Sequence, residues 1–267
     1  MKILGILNVT SDSFSDGGKY LEPAAALAHA DRLLAEGADI LDIGAASSHP
    51  DAAPVPPETE IARLAALVPA LHDSGASLSI DSFSTPVQRW ALEQGVDYLN
   101  DIHGFADPAL YPDLAAASAK LIVMHAVQEA GLATRIDVPP DAIMDRILAF
   151  FDARLNLLAA AGIAPERLVL DPGMGFFLSS DPQTSLTVLG RLPELADAFG
   201  LPILVSVSRK SFLKALAGTG QDASVAAELL AARQGADYIR THAPAPLREG
   251  LKMLEDLQKE SPTPTQG

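Results

Sequence analysis

The chain of 267 residues has no cysteine, a single tryptophan and four tyrosines. Without cysteine there is no disulfide framework, no thiolate metal site and no cysteine nucleophile. That suits a reducing compartment. Basic residues are scarce as well: 19 against 34 acidic ones give a formal net charge of −15. Such a balance argues against general binding to nucleic acid or anionic membranes. Any anionic ligand must therefore be met by a few local cations. No apolar run reaches membrane-spanning length, and no basic segment followed by an apolar one opens the chain. A cytoplasmic protein with no nucleic-acid or membrane partner is expected. Apolar residues are what the chain has in quantity, 48% of the total, enough for a sizeable core.

Those apolar residues come in short runs, each ending in a polar tip. The clearest is Leu168-Val169-Leu170-Asp171-Pro172-Gly173-Met174-Gly175. An apolar run bounded by turn residues reads as a buried strand, here with a carboxylate where the strand ends. Similar runs predict strands over 2–8, 38–44, 78–81, 98–101, 120–125, 202–207 and 237–242. Between them, helical spacing covers 23–36, 58–73, 86–94, 111–118, 141–161, 182–199 with Pro193 interrupting, 224–234 and 246–259. Polar loops over 9–20 and 45–57 are long enough to suggest function. Strands alternating with helices imply a parallel sheet, and eight such units imply a single-domain (β/α)8 TIM barrel over 1–260. The tail at 261–267 is expected to fray. In such barrels the site lies at the C-terminal ends of the strands.

The strand tips would then converge on one mouth, and their chemistry divides in two. Asp81, Asn100 and Asp171 suit a flat heterocycle rich in N–H donors. Arg209, Lys210, Arg240 and His242 form a cationic group in an otherwise acidic chain, near the two strands where barrels commonly bind phosphate. Asn8, Ser48, His49 and Ser208 also stand at tips. Singly each has a plainer reading: an Asp after a strand often caps a helix or closes a turn, and His125 suits a core position as well as a site.

Five stretches together resemble dihydropteroate synthases, the folate-pathway family. They are Ile6-Leu7-Asn8-Val9-Thr10-Ser11-Asp12-Ser13-Phe14-Ser15-Asp16-Gly17-Gly18, Asn100-Asp101-Ile102, Asp171-Pro172-Gly173-Met174-Gly175-Phe176, Ser208-Arg209-Lys210-Ser211 and Arg240-Thr241-His242. The resemblance implies a transferase that joins p-aminobenzoate to a dihydropterin pyrophosphate with release of pyrophosphate. It places Asp81, Asn100, Met124, Asp171, Phe176 and Lys210 around the pterin, and Asn8, His49, Arg240 and His242 around the pyrophosphate, Asn8 with Mg2+ as cofactor. It assigns p-aminobenzoate to Ser48, Phe177, Ser208, Arg209 and Lys210. Asp81, Asp171, Lys210 and Arg240 would carry the catalysis. A homodimer is also expected from the family.

Two stretches depart from the usual pattern. The second loop commonly reads Gly-Glu-Ser-Thr-Arg-Pro-Gly; here it reads Ala45-Ala46-Ser47-Ser48-His49-Pro50-Asp51. His49 thus stands where an arginine usually does, and an imidazole cannot make a two-pronged contact. Phe177 stands where most members have glycine. With the surrounding residues these features resemble the sulfonamide-insensitive branch of the family. The expectation is that Phe177 narrows the p-aminobenzoate pocket. Two alternatives share the barrel and the pterin acids: a methyltransferase-type pterin barrel, and a non-catalytic pterin-binding protein. The cationic pairs at 209–210 and 240–242 argue against the first, since a methyl donor has no pyrophosphate. Asn8 and Lys210 argue against the second.

Overall fold

Period-two alternation organises every strand of this protein. A computed structural model describes residues 1–9, 23–128, 131–133, 135–217 and 221–260. It contains eight strands: β1 (Lys2–Asn8), β2 (Ile40–Gly44), β3 (Leu78–Asp81), β4 (Tyr98–Asp101), β5 (Lys120–Met124), β6 (Leu168–Asp171), β7 (Leu204–Val205) and β8 (Tyr238–Thr241). The helices between them, among the described residues, are α1 (Pro23–Ala35), α2 (Pro57–Ala65), α3 (Val68–Asp73), α4 (Thr85–Glu93), α5 (Tyr111–Ala116), α6 (Ile143–Ala160), α7 (Pro182–Gly190), α8 (Leu192–Phe199), α9 (Ser211–Ala217), α10 (Gln221–Arg233) and α11 (Pro244–Glu260). All strand pairs are parallel, in the order β6-β5-β4-β3-β2-β1-β8-β7. A bridge between Leu170 and Ile203 closes the ring, with the Leu170 N–H donating to the Pro202 carbonyl at 2.8 Å. The (β/α)8 barrel expected from the sequence is present.

Successive side chains of a strand point to opposite faces. One set, including Ile3, Leu7, Leu41, Ile43, Leu78, Ile80 and Leu99, packs outward in the large buried cluster shared with the helices. The other set begins with an inner apolar cluster of Leu4, Ile40, Tyr98, Ile122, Val169, Leu204 and Tyr238. This plugs the barrel's lower half. Two residues further along the same strands stand Ile6, Asp42, Asn100, Met124, Asp171, Ser206 and Arg240. The alternation that builds the plug therefore also sets a largely polar tier on top of it.

Several boundaries differ from the sequence expectation. The helix expected over 58–73 is two helices, because Pro69 has no N–H to continue the first and instead sits in the opening turn of α3. The strand expected over 202–207 shrinks to Leu204–Val205. Its chain turns early, with the Lys210 N–H donating to the Val207 carbonyl at 3.1 Å and Arg209 at φ +59°. Helix α9 was not expected. Pro193 does end one helix and open the next. The polar loop expected over 9–20 lies outside the described residues from 10 onward, as does the tail at 261–267. Among the described residues no helix is long and apolar enough to cross a membrane.

Candidate active site

At the C-terminal ends of the strands opens a cavity of about 410 Å3. Asn8, Ser48, His49, Asp81, Phe176, Phe177, Ser208, Arg209, Lys210, Arg240 and His242 all line it. Asn100, Met124 and Asp171, also expected at the site, do not reach its wall and are buried within the barrel tier. Arg240 ties the tiers together. Its Nε–H donates to Asp42 Oδ2 at 2.5 Å, and an Nη–H donates to Asp81 Oδ2 at 2.8 Å. Asp42 is fully buried and also accepts from Asn100 Nδ2 at 3.4 Å.

The electrostatics follow from burial in this half-dry mouth. Burial would lower the Arg240 pKa, but the neighbouring Asp42 and Asp81 outweigh it and raise it. Burial raises the Asp81 carboxyl even though Arg240 pulls the other way. Asp171 is pushed up to about 6 by burial, against the Gly173 N–H, which donates to it at 2.8 Å, and against Lys210 and Arg240. Lys210 is lowered to about 8 by burial and by Arg240, with Asp171 and Asp81 opposing. Its ammonium lies 4.8 Å from the centre of the Phe177 ring, a cation–π contact that also places Phe177 against the cavity. His242 is lowered to about 3 by burial and then by Arg209, Arg240, Lys210 and His29, so its ring is neutral.

Backbone geometry fixes the acids. Gly173 holds φ +76°, and a Cβ there would stand 2.4 Å from the His125 carbonyl oxygen. Only glycine lets the turn after β6 pass that close. At Gly44, Asn8 Oδ1 and Asp81 Oδ2 come within 3.6 and 3.7 Å of where a Cβ would sit, so a side chain there would stand against both. Asp81 Oδ2 is already held by an Nη–H of Arg240, so a hard cation here would draw on Asn8 Oδ1 and complete its shell with phosphate and water. Among the described residues no group of three or more His, Cys, Asp or Glu side chains could hold a metal by itself. His125 belongs to the core: its Nδ1 lies 3.1 Å from the Pro172 carbonyl and its ring meets Phe150 edge-on at 5.2 Å.

The pterin-binding enzyme family matches residues 4–242. Dihydropteroate synthase type-2 of Escherichia coli is 59% identical over 261 residues, covering 96% of each chain. The chain belongs to the dihydropteroate synthases. The solved dihydropteroate synthase of Xanthomonas albilineans with 4-aminobenzoic acid has a TM-score of 0.88 at 34% identity, covering 98% of this chain and 94% of its own. That of Burkholderia cenocepacia complexed with 7,8-dihydropteroate has a TM-score of 0.85 at 35% identity, covering 97% and 91%.

Three residues of this synthase fold stand near or behind the site although the sequence reading passed over them. Asp42 lies mid-strand, where a search of strand tips does not look. The signal was an acid at an inward, period-two position of an apolar strand. Arg135 pairs through both terminal nitrogens with Asp51, at 2.9 and 2.6 Å, and lies 5.4 Å from the Phe176 ring centre. It brings a guanidinium from the β5 loop to the second loop, whose own arginine position is His49. His49 itself is exposed, with Nδ1 accepting from the Asp51 N–H at 3.2 Å and its ring edge-on to Phe176. The third, Glu228, lies behind β8 on α10.

Proposed function

We propose that this chain catalyses the synthase reaction: p-aminobenzoate and 6-hydroxymethyl-7,8-dihydropterin pyrophosphate give 7,8-dihydropteroate and pyrophosphate. The observation that carries the reading is the shared mouth, where Arg240 bridges Asp42 and Asp81 beside Lys210. Asp81 at the cavity wall offers an acceptor to the ring N–H groups of the pterin, Lys210 donates to its carbonyl side, and a pterin seated deeper than that wall meets Asp171 and Asn100 in the tier beneath. A pterin that takes Asp81 competes with one arm of Arg240. The other arm stays on Asp42, so the freed nitrogen turns toward the pyrophosphate.

The bond from the pterin methylene carbon to the diphosphate oxygen then breaks, its electron pair leaving with pyrophosphate. Arg240 neutralises that charge as it develops, and the Nε2–H of the neutral His242 donates to it. The ionised acids beneath the ring stabilise the electron-poor carbon. The arylamine lone pair forms the new C–N bond, and the proton it sheds passes to solvent or pyrophosphate. Asn8, with Asp81 close by, would hold Mg2+, which when bound adds charge to stabilise the leaving group. No protein nucleophile is required. Ser48, Ser208 and Arg209 line the side left for p-aminobenzoate.

Phe177 stands at that same side, nearly buried beneath the Lys210 ammonium. The ring occupies space that a bulkier sulfonamide would need, which favours reduced drug sensitivity. Pyrophosphate release assayed with Mg2+ and each substrate alone or together tests the reaction. Release that requires p-aminobenzoate supports it; a methyltransferase or a mere pterin binder gives none. Light scattering on the eluted protein tests the homodimer expected from the family, with a mass twice that of the chain.

A further inference from the structure

On the helix side of β7 and β8 stands an acid that no step above uses. Glu228 of α10 is fully buried, and α10 packs against β8, α7, α9 and α11. Its carboxyl faces the hydroxyls of Thr241 and Ser208. Neither of its oxygens closes a hydrogen bond among the described residues. An ionised carboxylate so placed is costly, whereas a neutral acid is not. Burial raises its pKa to about 7, the two hydroxyls act against that, and no charged group on the surrounding elements contributes.

Ser208 is the junction between this acid and the mouth. Its Oγ accepts the His242 backbone N–H at 3.2 Å, lies 3.1 Å from His242 Nδ1 and 3.5 Å from Thr241 Oγ1. A serine hydroxyl carries one proton. Its destination decides the tautomer of His242, whose ring is kept neutral by burial and by Arg209, Arg240, Lys210 and His29.

We propose that Glu228 is a positioning residue for His242, acting as a neutral acid that donates to Ser208 Oγ. The Ser208 proton is then given to His242 Nδ1, and Nε2 keeps its own proton as a donor toward the cavity. When Glu228 loses its proton to solvent, the carboxylate draws the Ser208 proton to itself. The single ring proton of His242 moves to Nδ1 and donates to Ser208 Oγ. An Nε2 lone pair is left facing the anion. The functional consequence rests on the cavity being the pyrophosphate site; the tautomer switch does not.

Nitrogen NMR of ligand-free, 15N-histidine-labelled protein reads the tautomer directly among six histidines, with His242→Asn for assignment. The expected result is an Nε2–H ring below about pH 6 that converts to Nδ1–H as pH rises through about 7. Glu228→Gln, whose amide keeps donating to Ser208, holds Nε2–H throughout. An unchanged tautomer in the unaltered protein, or the same pH course in both, overturns the proposal. Should Glu228→Gln fail to fold, the pH series on the unaltered protein still decides. Calorimetry with pyrophosphate gives the second reading. Between about pH 6 and pH 8.5 binding should weaken about tenfold more in the unaltered protein than in Glu228→Gln. Pyrophosphate's own titration is common to both. A tautomer that switches in a protein binding no pyrophosphate would leave the switch standing and remove the synthase reading; equal weakening in both proteins overturns the link to the anion.

Discussion

Asp42 holds Arg240 from below with no solvent to replace it. In Asp42→Asn the guanidinium keeps Asp81 but loses its fixed counter-charge, which leaves a buried cation half paired. We expect a loss of about 3 kcal/mol in urea unfolding. Turnover should fall at least tenfold, since an Arg240 without its anchor no longer presents one arm to the mouth. Phe177 makes a different kind of contribution, by volume. Replacing it with glycine removes the ring over which Lys210 lies. The ratio of sulfonamide Ki to p-aminobenzoate KM should then drop about tenfold or more, within the range that a few buried methylene-sized contacts can discriminate. An unchanged ratio would make Phe177 a core residue only.

At the scale of elements, the turn after β6 is the least replaceable. Gly173→Ala would need a positive φ and a Cβ 2.4 Å from the His125 carbonyl oxygen. A destabilisation of about 3 kcal/mol or more is expected in thermal unfolding, with Asp171 displaced. This turn was legible in the sequence because Pro172 and the glycines mark it. The strands were legible for the same reason: each apolar run is short and bounded by turn residues, and β1, β3, β4 and β6 begin and end where those runs do. Strand β7 was not, because its apolar run continues past the point where the backbone turns at 207–210. Helix α9 was hidden in a stretch that reads as the tail of a loop. Asp42 and Glu228 stayed out of sight for a different reason. Both are polar residues inside regular elements, and what they touch is set by how other elements pack on their own. Asp42 meets Arg240 across 198 positions. The tips Asp81, Asp171, Lys210, Arg240 and His242 could be gathered only because a barrel closes them onto one mouth.

For the whole molecule, few cations serve a chain of net charge −15, and Arg209, Lys210, Lys214 and Arg240 line the cavity where acids must remain ionised. The acid limb of the activity profile should begin with Asp81, raised by burial to about 7, and run down to Asp171, raised by burial to about 6. The rate of the pterin substrate's reaction should fall as pH drops through that range, because a neutral carboxyl no longer stabilises the electron-poor carbon. Stability runs the opposite way. A carboxyl whose folded pKa is raised contributes most below its unfolded value of 3.8 and loses that contribution as pH climbs through about 6. An activity maximum above the stability maximum is the signature, read from a rate profile and a denaturation series in the same buffers.

The grip of the barrel's inner tier on a pterin is the claim on which all of this depends. Calorimetric binding of 6-hydroxymethylpterin to the unaltered protein and to Asp171→Asn measures it without any chemistry. The substitution keeps an acceptor for the Gly173 N–H, removes the charge and turns the second carboxylate oxygen into an amide donor. A loss of affinity of about 10- to 100-fold is predicted, the worth of a hydrogen bond to an ionised group. Equal affinity in the two proteins would contradict the account.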